Sequence, residues 1–239
     1  MNLIVPQRRF DNGKPEMMDL PDADPEILRD DLKNLRTINR YFGGLTALQK
    51  AVIPIVMKTK PGDTITILDL ATGSGDHPVA LLEAAQRIGR RIHITAVDDN
   101  IVMLEESRKF ADGLKEIKFE RCDIMNMPYK NESFDIVTCS LALHHFSRAD
   151  AVKLLREMNR ISRMGFVVND LSRSYLGAAT TWIYTRLTTR NPMTRYDSVI
   201  SVLRAFTKNE LVAMFVEAGI EHVQIFKMRF FRLVAVKEK

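Results

Sequence analysis

One stretch constrains this chain more than any other: Ile65–Pro78, ITILDLATGSGDHP. It opens with the β-branched and apolar run Ile65-Thr66-Ile67-Leu68, the pattern of a buried strand. The strand ends at Asp69. The small residues Ala71-Thr72-Gly73-Ser74-Gly75 follow, and then Val79, Leu81, Leu82, Ala85 and Ile88 recur at helical spacing. A strand, a glycine turn and a helix in that order make the ligand-binding corner of a doubly wound α/β sheet. Glycine lets the backbone approach a ligand, and the helix N-terminus offers unpaired N–H groups. The alternative is a turn that only packs helix against sheet.

The turn excludes two ligand classes. A dinucleotide fingerprint places glycine at its first, third and sixth positions. Here those are Ala71, Gly73 and Asp76, and a carboxylate at Asp76 repels a pyrophosphate. A phosphate-cradling P-loop is excluded because no Gly-Lys-Ser/Thr follows. An ammonium-bearing ligand without phosphate suits the turn. S-adenosylmethionine, with an α-amino group, a sulfonium and a ribose, is such a ligand.

The segment DLATGSGD resembles motif I of class I S-adenosylmethionine-dependent methyltransferases, and is similar to the ubiquinone/menaquinone-biosynthesis type. The resemblance covers Thr64–Phe146, with further motifs in the expected order. It implies S-adenosylmethionine as cofactor and an α/β fold. That fold is a Rossmann-like, seven-stranded, mostly parallel sheet with an antiparallel edge strand and helices on both faces. An N-terminal helical cover and a helical lid insertion are implied as well. On this resemblance Asp69, Ala71, Thr72, Gly73, Ser74 and Gly75 surround the cofactor. The second strand, Ile92–Val97, ends in Asp98-Asp99-Asn100. An acid there accepts both ribose hydroxyls; Asp98 aligns with that position and Asp99 is the neighbouring choice. Asn100 caps the next helix. Met103 either touches the ribose or adenine or packs in the core. After strand three, Ile117–Cys122, the family's acid for the adenine amino group falls on Asp123, with Ile124 against the ring. After strand four, Phe134–Cys139, the main chain of Ser140 and Leu141 faces the methionine part.

Elsewhere the pattern reads in order. Residues 1–23 form an irregular arm. Asp24-Pro25 starts a helix whose apolar face is Leu28, Leu32, Leu35, Ile38 and Phe42, and Gly43-Gly44 ends it. Thr46 and Gln49 suggest a capping box for a second helix to about Met57. Arg40 and Tyr41 either reach the site or only pack. Ser147 and Asp150 start a further helix. Phe166–Val168 is the fifth strand, with Asn169-Asp170 at its carboxyl end. In 171–206, Tyr175, Leu176, Ala179, Trp182, Ile183 and Leu187 follow helical spacing and Asn191-Pro192 breaks it. Arg195-Tyr196-Asp197 then precede a helical segment, Val199–Phe206. This insertion is read as a substrate lid, with extra packing or a homodimer contact as the alternative. Thr207 and Glu210 cap the last helix, Gly219 ends it, and Ile220–Phe226 and Phe230–Val236 are the final strands. The whole reads as one domain: cover 1–60, cofactor core 61–170, lid 171–206, and C-terminal helix and edge strands 207–239.

Methyl transfer from a sulfonium is an in-line displacement, so a protein supplies proximity and alignment, on the order of 7–11 kcal/mol. A hydroxyl acceptor also gains from a base. His144 and His145 are the candidates, because they follow strand four at the site mouth and imidazole titrates near neutrality; the alternative is that they only shape the pocket. Asp170, Tyr175, Arg195 and Tyr196 are the acceptor-binding candidates. Asp170 with Asn169 is an incomplete acid cluster, so no metal is expected. The expected reaction is methylation of a small aromatic or polyketide-like molecule, at oxygen. The rival readings are a protein or RNA methyltransferase and a non-enzymatic scaffold subunit.

Charge bears on the partner. The first 120 residues carry 17 Lys and Arg against 19 Asp and Glu, and the remainder 18 against 11. A basic half attracts anions. Without a basic run interleaved with aromatics, no nucleic-acid partner is expected. Cys122 and Cys139 fall in strands expected to be buried and lack metal spacing, which suggests a reducing, cytoplasmic setting. No run approaches membrane-spanning length, so no membrane insertion is expected.

Overall fold

The computed structural model describes residues 5–10 and 15–239. Seven strands form one sheet: β1 (Thr64–Leu70), β2 (Arg91–Asp98), β3 (Ile117–Arg121), β4 (Phe134–Ser140), β5 (Ser162–Leu171), β6 (Val223–Met228) and β7 (Arg232–Glu238). Their order is β3-β2-β1-β4-β5-β7-β6. The first five are parallel, and β7 runs antiparallel to both β5 and β6. Strand β1 sits at the switch point, with β2 on one side and β4 on the other. In such sheets the ligand crevice opens beyond the carboxyl ends at that place.

Alternation along β1 divides the core. Ile65 and Ile67 face one layer with α2 (Gly44–Met57), α3 (Asp76–Arg87) and Ala111, the residue that caps α4 (Ile101–Phe110). Leu68 and Leu70 join a layer with α5 (Arg148–Ile161) and α8 (Lys208–Ala218). Each fully buried aliphatic side chain contributes roughly 1.5–3 kcal/mol. A smaller apolar cluster joins Leu28 and Leu32 of α1 (Pro25–Tyr41) to Met103 of α4 and Met193 of α7 (Pro192–Arg204). Together with α6 (Tyr175–Thr188), α1 and α7 roof the carboxyl end of the sheet.

Many local signals act as read. Asp24 accepts N–H bonds from Glu26 and Ile27 with Pro25 first in the helix. Asn100 caps α4, Ser147 caps α5, and Thr207 with Glu210 forms a capping box closed by Gly219. Others differ. Phe42 and Gly43, the latter at φ 74°, form a two-residue joint, and α2 begins at Gly44. No Thr46–Gln49 capping box forms; Gln49 donates to the Ala80 carbonyl instead. Strand β5 is much longer than Phe166–Val168, because Gly165–Leu171 pair with β7 and the strand begins directly after α5. Helix α7 starts at Pro192 and contains Arg195–Asp197, with Asn191 as its cap. The final strands lie two to three residues later than expected, because left-handed Phe230 and Phe231 belong to the hairpin turn. Cys139 is buried, but Cys122 lies just past β3 and is only half-buried.

Candidate active site

A cavity of about 610 Å³ opens at the carboxyl ends of β1, β2, β3 and β4, under α1 and α7. Two sharp bends shape its floor. Ala71 after β1 and Leu141 after β4 both adopt left-handed φ, 51° and 55°. Such values strain a residue with a Cβ by on the order of 1–3 kcal/mol and persist only where the surroundings hold them. Here the Thr72 N–H bonds the Val97 carbonyl, and the Leu141 N–H bonds the Asn169 carbonyl. The turn thus hangs from the neighbouring strands.

Ala71, Thr72, Gly73, Ser74, Asp98, Asp99, Asn100, Met103, Asp123, Ile124, Ser140 and Leu141 all line the cavity. Asp98 is buried, and its two oxygens accept from the Gly73 and Asn100 N–H groups at 2.9 and 3.0 Å. One lone pair on each oxygen remains for a ligand hydroxyl. Burial raises the Asp98 pKa, partly offset by those N–H groups. Asp99 is largely exposed and held by Arg121. Asp123 bonds the Met125 N–H and the Asn126 amide at the open end. Two expected cofactor residues stand behind the wall. Asp69 is buried under the turn and accepts from the Thr138 hydroxyl at 2.7 Å. Gly75, at φ 75°, lets α3 approach Ser107, and a Cβ there would lie 3.0 Å from the Ser107 Cβ.

Among the four acceptor candidates, none lines this cavity. Tyr175 is exposed on the outer face of α6. Arg195 donates to the Thr189 and Arg186 carbonyls, and with Tyr196 it lines a separate surface cleft beside Trp182 and Arg190. Their places on α7 cause this, since Met193, Thr194 and Asp197 take its buried face. Asp170 is buried one layer deeper. It accepts from the His144 main-chain N–H at 3.0 Å and lies 2.6 Å from His144 Nδ1. Burial opposes its ionisation, but the His144 contacts prevail and hold its pKa below the usual range. Tyr41 is exposed on α1; Ile38 and Asn39 of the same helix reach the cavity instead.

The structure adds residues that local sequence pattern missed. The arm before α1 crosses the roof: Asp197 of α7 accepts from the Met17 and Met18 N–H groups at 2.7 and 3.0 Å. This carries Glu16, Met18 and Asp19 into the cavity. Glu16, 1% exposed, lies 3.6 Å from His144 Nε2 through one oxygen and 3.7 Å from His145 Nε2 through the other. His145 Nδ1 is 2.8 Å from Asp19. Burial opposes protonation of His145, yet Glu16 and Asp19 outweigh it and raise its pKa to about 9. Arg232 of β7 also lines the cavity; burial lowers its pKa to about 10, and it donates to the Phe42 carbonyl. No pattern around Glu16 or Arg232 signals these positions.

The cavity suits an amino-acid nucleoside. The hydroxyl of Ser140 is buried at the floor without a hydrogen-bond partner among the described residues. A Cβ built on Gly73 meets nothing within 4 Å, so the backbone there is open to a ligand. Asp76 is held ionised near the turn: burial opposes this, but His77, Ser74 and Asn39 bring its pKa down to about 2. A doubly wound sheet with acids at successive strand tips and no phosphate cradle suits a nucleoside without phosphate rather than a dinucleotide.

Comparisons with known proteins narrow this. A methyltransferase domain family matches residues 67–165. The chain is 33% identical over 194 residues to the demethylmenaquinone methyltransferase of Thermotoga maritima, covering 75% of this chain and 79% of that protein. It is 37% identical over 108 residues to a protein of the same name from Lactobacillus johnsonii, covering 44% of this chain and 41% of that one. Two solved structures share the fold. An S-adenosylmethionine-dependent methyltransferase from Aquifex aeolicus has a TM-score of 0.60 at 16% identity, over 89% of this chain and 97% of that one. An O-methyltransferase family 2 protein from Planctomyces limnophilus has 0.65 at 17%, over 92% and 63%. The chain belongs to the class I S-adenosylmethionine-dependent methyltransferases and is related to those of quinone biosynthesis. Its cofactor is S-adenosylmethionine. No helix among the described residues is long and apolar enough to cross a membrane.

Proposed function

We propose that the enzyme methylates a hydroxyl of a small aromatic or polyketide-like molecule bound between the strand tips and α7. The observation that carries this reading is one continuous cavity lined both by the acids at the strand tips and by the Glu16, His144 and His145 cluster. The relatives named for demethylmenaquinone support a small, apolar acceptor.

Bound at the strand tips, S-adenosylmethionine supplies a methyl group on a sulfonium, whose C–S electron pair departs with sulfur. The chain's own residues do the rest. Asp98 accepts the ribose hydroxyls. Asp123 and Ile124 take the adenine edge and face. Gly73, Ser140 and Leu141 line the amino-acid end, where Arg232 offers a cation to the carboxylate. The apolar side chains of Leu32, Leu35, Leu171 and Val202 line the roof and keep water away. Asp170, 2.6 Å from His144 Nδ1, fixes the ring with Nε2 turned toward the cluster. In the cluster by itself, His144 Nε2 takes the hydroxyl proton, which contributes roughly 10²–10⁴-fold.

The test is a radiolabelled-methyl assay against hydroxyaromatics, hydroquinones, peptides and RNA, with calorimetry of the donor beside it. Label in a small hydroxylated product supports the reading, and product NMR assigns the methyl to oxygen or carbon. Label in peptide or RNA, or no donor binding at all, overturns it.

A further inference from the structure

We propose that Glu16, His144 and His145 bind one divalent transition-metal ion of the zinc type, whose remaining coordination position takes the acceptor hydroxyl. This rests on the methyltransferase reading and puts the metal ion in place of the His144 base at the acceptor subsite.

Distance separates a metal site from a plain ion-pair cluster. Hydrogen bonds between imidazole nitrogen and carboxylate lie at about 2.7–3.2 Å. The Glu16 oxygens stand 3.6 and 3.7 Å from the two Nε2 atoms, too far to be bonded to them. Ligands sharing a tetrahedral zinc at about 2.0–2.1 Å are about 3.4 Å apart. One ligating atom from each of the three residues lies within 4.8 Å of the other two. Glu16 Oε1 is buried and accepts no hydrogen bond among the described residues. A buried acceptor left without a hydrogen-bond partner is costly, and a bound metal ion would meet it.

The outer contacts fit as well. Asp170 lies 2.6 Å from His144 Nδ1 and Asp19 lies 2.8 Å from His145 Nδ1. Each carboxylate fixes its ring with Nε2 inward, the arrangement that orients imidazole ligands. The Ser201 hydroxyl holds Glu16 Oε2 at 2.8 Å. Two nitrogens and one carboxylate favour zinc, cobalt or iron over magnesium and calcium, which prefer oxygen. Three protein ligands leave a position open toward the cavity. An acceptor O–H bound there loses its proton to water at a lowered pKa, and both electrons of the broken bond stay on oxygen. The sequence offered no such pattern because Glu16 lies in the N-terminal arm, far from the histidines along the chain.

The test uses the tag-free full chain, stripped with chelator and titrated with zinc against a chromophoric chelator, and with cobalt by visible absorption. One equivalent is expected, with Kd at or below about 1 μM. Glu16→Gln and His145→Ala each weaken it tenfold or more, and Asp170→Asn by about 10–100-fold. Donor calorimetry on every protein, with and without chelator, reports folding and the cofactor site separately. Absence of stoichiometric metal, or affinity unchanged in Glu16→Gln and His145→Ala, overturns the metal site. If the donor still binds in that case, the methyltransferase reading stands; loss of donor binding in the unaltered protein sinks that reading instead.

Discussion

Replacing Asp98 by alanine tests the cofactor site most directly. The carboxylate is buried, and each oxygen already accepts one main-chain N–H, from Gly73 or Asn100. The substitution therefore acts twice. It frees the Gly73 N–H that anchors the turn, and it removes both of the proposed acceptors for the ribose. Hydrogen bonds to a charged acceptor contribute about 1.5–3 kcal/mol each. Because paired bonds to one group are not additive, the expected loss is about 3 kcal/mol, or roughly 100-fold in donor Kd. Isothermal calorimetry with S-adenosylmethionine and its demethylated product measures it. The pH profile gives a second reading. Burial raises the Asp98 pKa, so donor affinity rises with pH as the carboxylate ionises, and this dependence disappears in the alanine variant. Asp99→Ala is the control, since Asp99 is exposed and paired to Arg121, and it should change Kd by less than about threefold. A folded Asp98→Ala protein that binds the donor within threefold of the original, or a larger loss from Asp99→Ala, refutes the assignment.

Asp170→Asn should lower kcat by at least about tenfold with little change in donor affinity, because His144 loses its orienting partner; equal loss in donor affinity would mark a general structural effect. Gly165→Ala should cost roughly 3 kcal/mol or more in chemical denaturation, because its φ is 147° and a Cβ would lie 2.1 Å from the Lys237 carbonyl oxygen; a near-normal midpoint would contradict the β5–β7 pairing. Burial raises the Asp31 pKa to about 6 despite the Thr194 hydrogen bond. A carboxylate raised above its unfolded value of about 3.8 costs stability progressively as pH climbs from about 4 through 6, and by a constant amount above. Asp31→Asn should therefore match the original near pH 3.5 and be about 2–3 kcal/mol more stable at pH 8; a gain independent of pH would rule this cause out. Asn191→Ala should destabilise the protein by about 1–3 kcal/mol, because its amide ties the start of α7 to Ile27 and Asp30 of α1; an unchanged melting temperature would mean the roof is not clasped there.

Local chemistry wrote much of this protein in plain sight. The β-branched run ending at Asp69, the glycine turn, and acids at Asp98 and Asp123 are short-range signals. Each is read within a few residues of itself, because a strand period, a left-handed turn or an N-cap depends on near neighbours. The helix caps at Asp24, Asn100, Ser147 and Thr207 were legible for the same reason. The direction of side chains in the insertion was not. Tyr175, Arg195 and Tyr196 carry suitable chemistry, yet the first turn of α7 aims Arg195 and Tyr196 into an outer cleft. Their orientation follows from where α7 packs on α1, which no local pattern encodes.

The amino-acid order alone determined that a parallel sheet would present a phosphate-repelling turn and two acidic strand tips to a methyl donor. Only the folded chain decided what stands at the proposed acceptor end. There Asp197 grips the arm by its Met17 and Met18 N–H groups and brings Glu16 from the N-terminal segment against His144 and His145. The reason is physical: a periodic pattern reports the face a residue shares with near neighbours, whereas a buried cluster of charge is assembled from segments that meet only when the roof closes over the sheet.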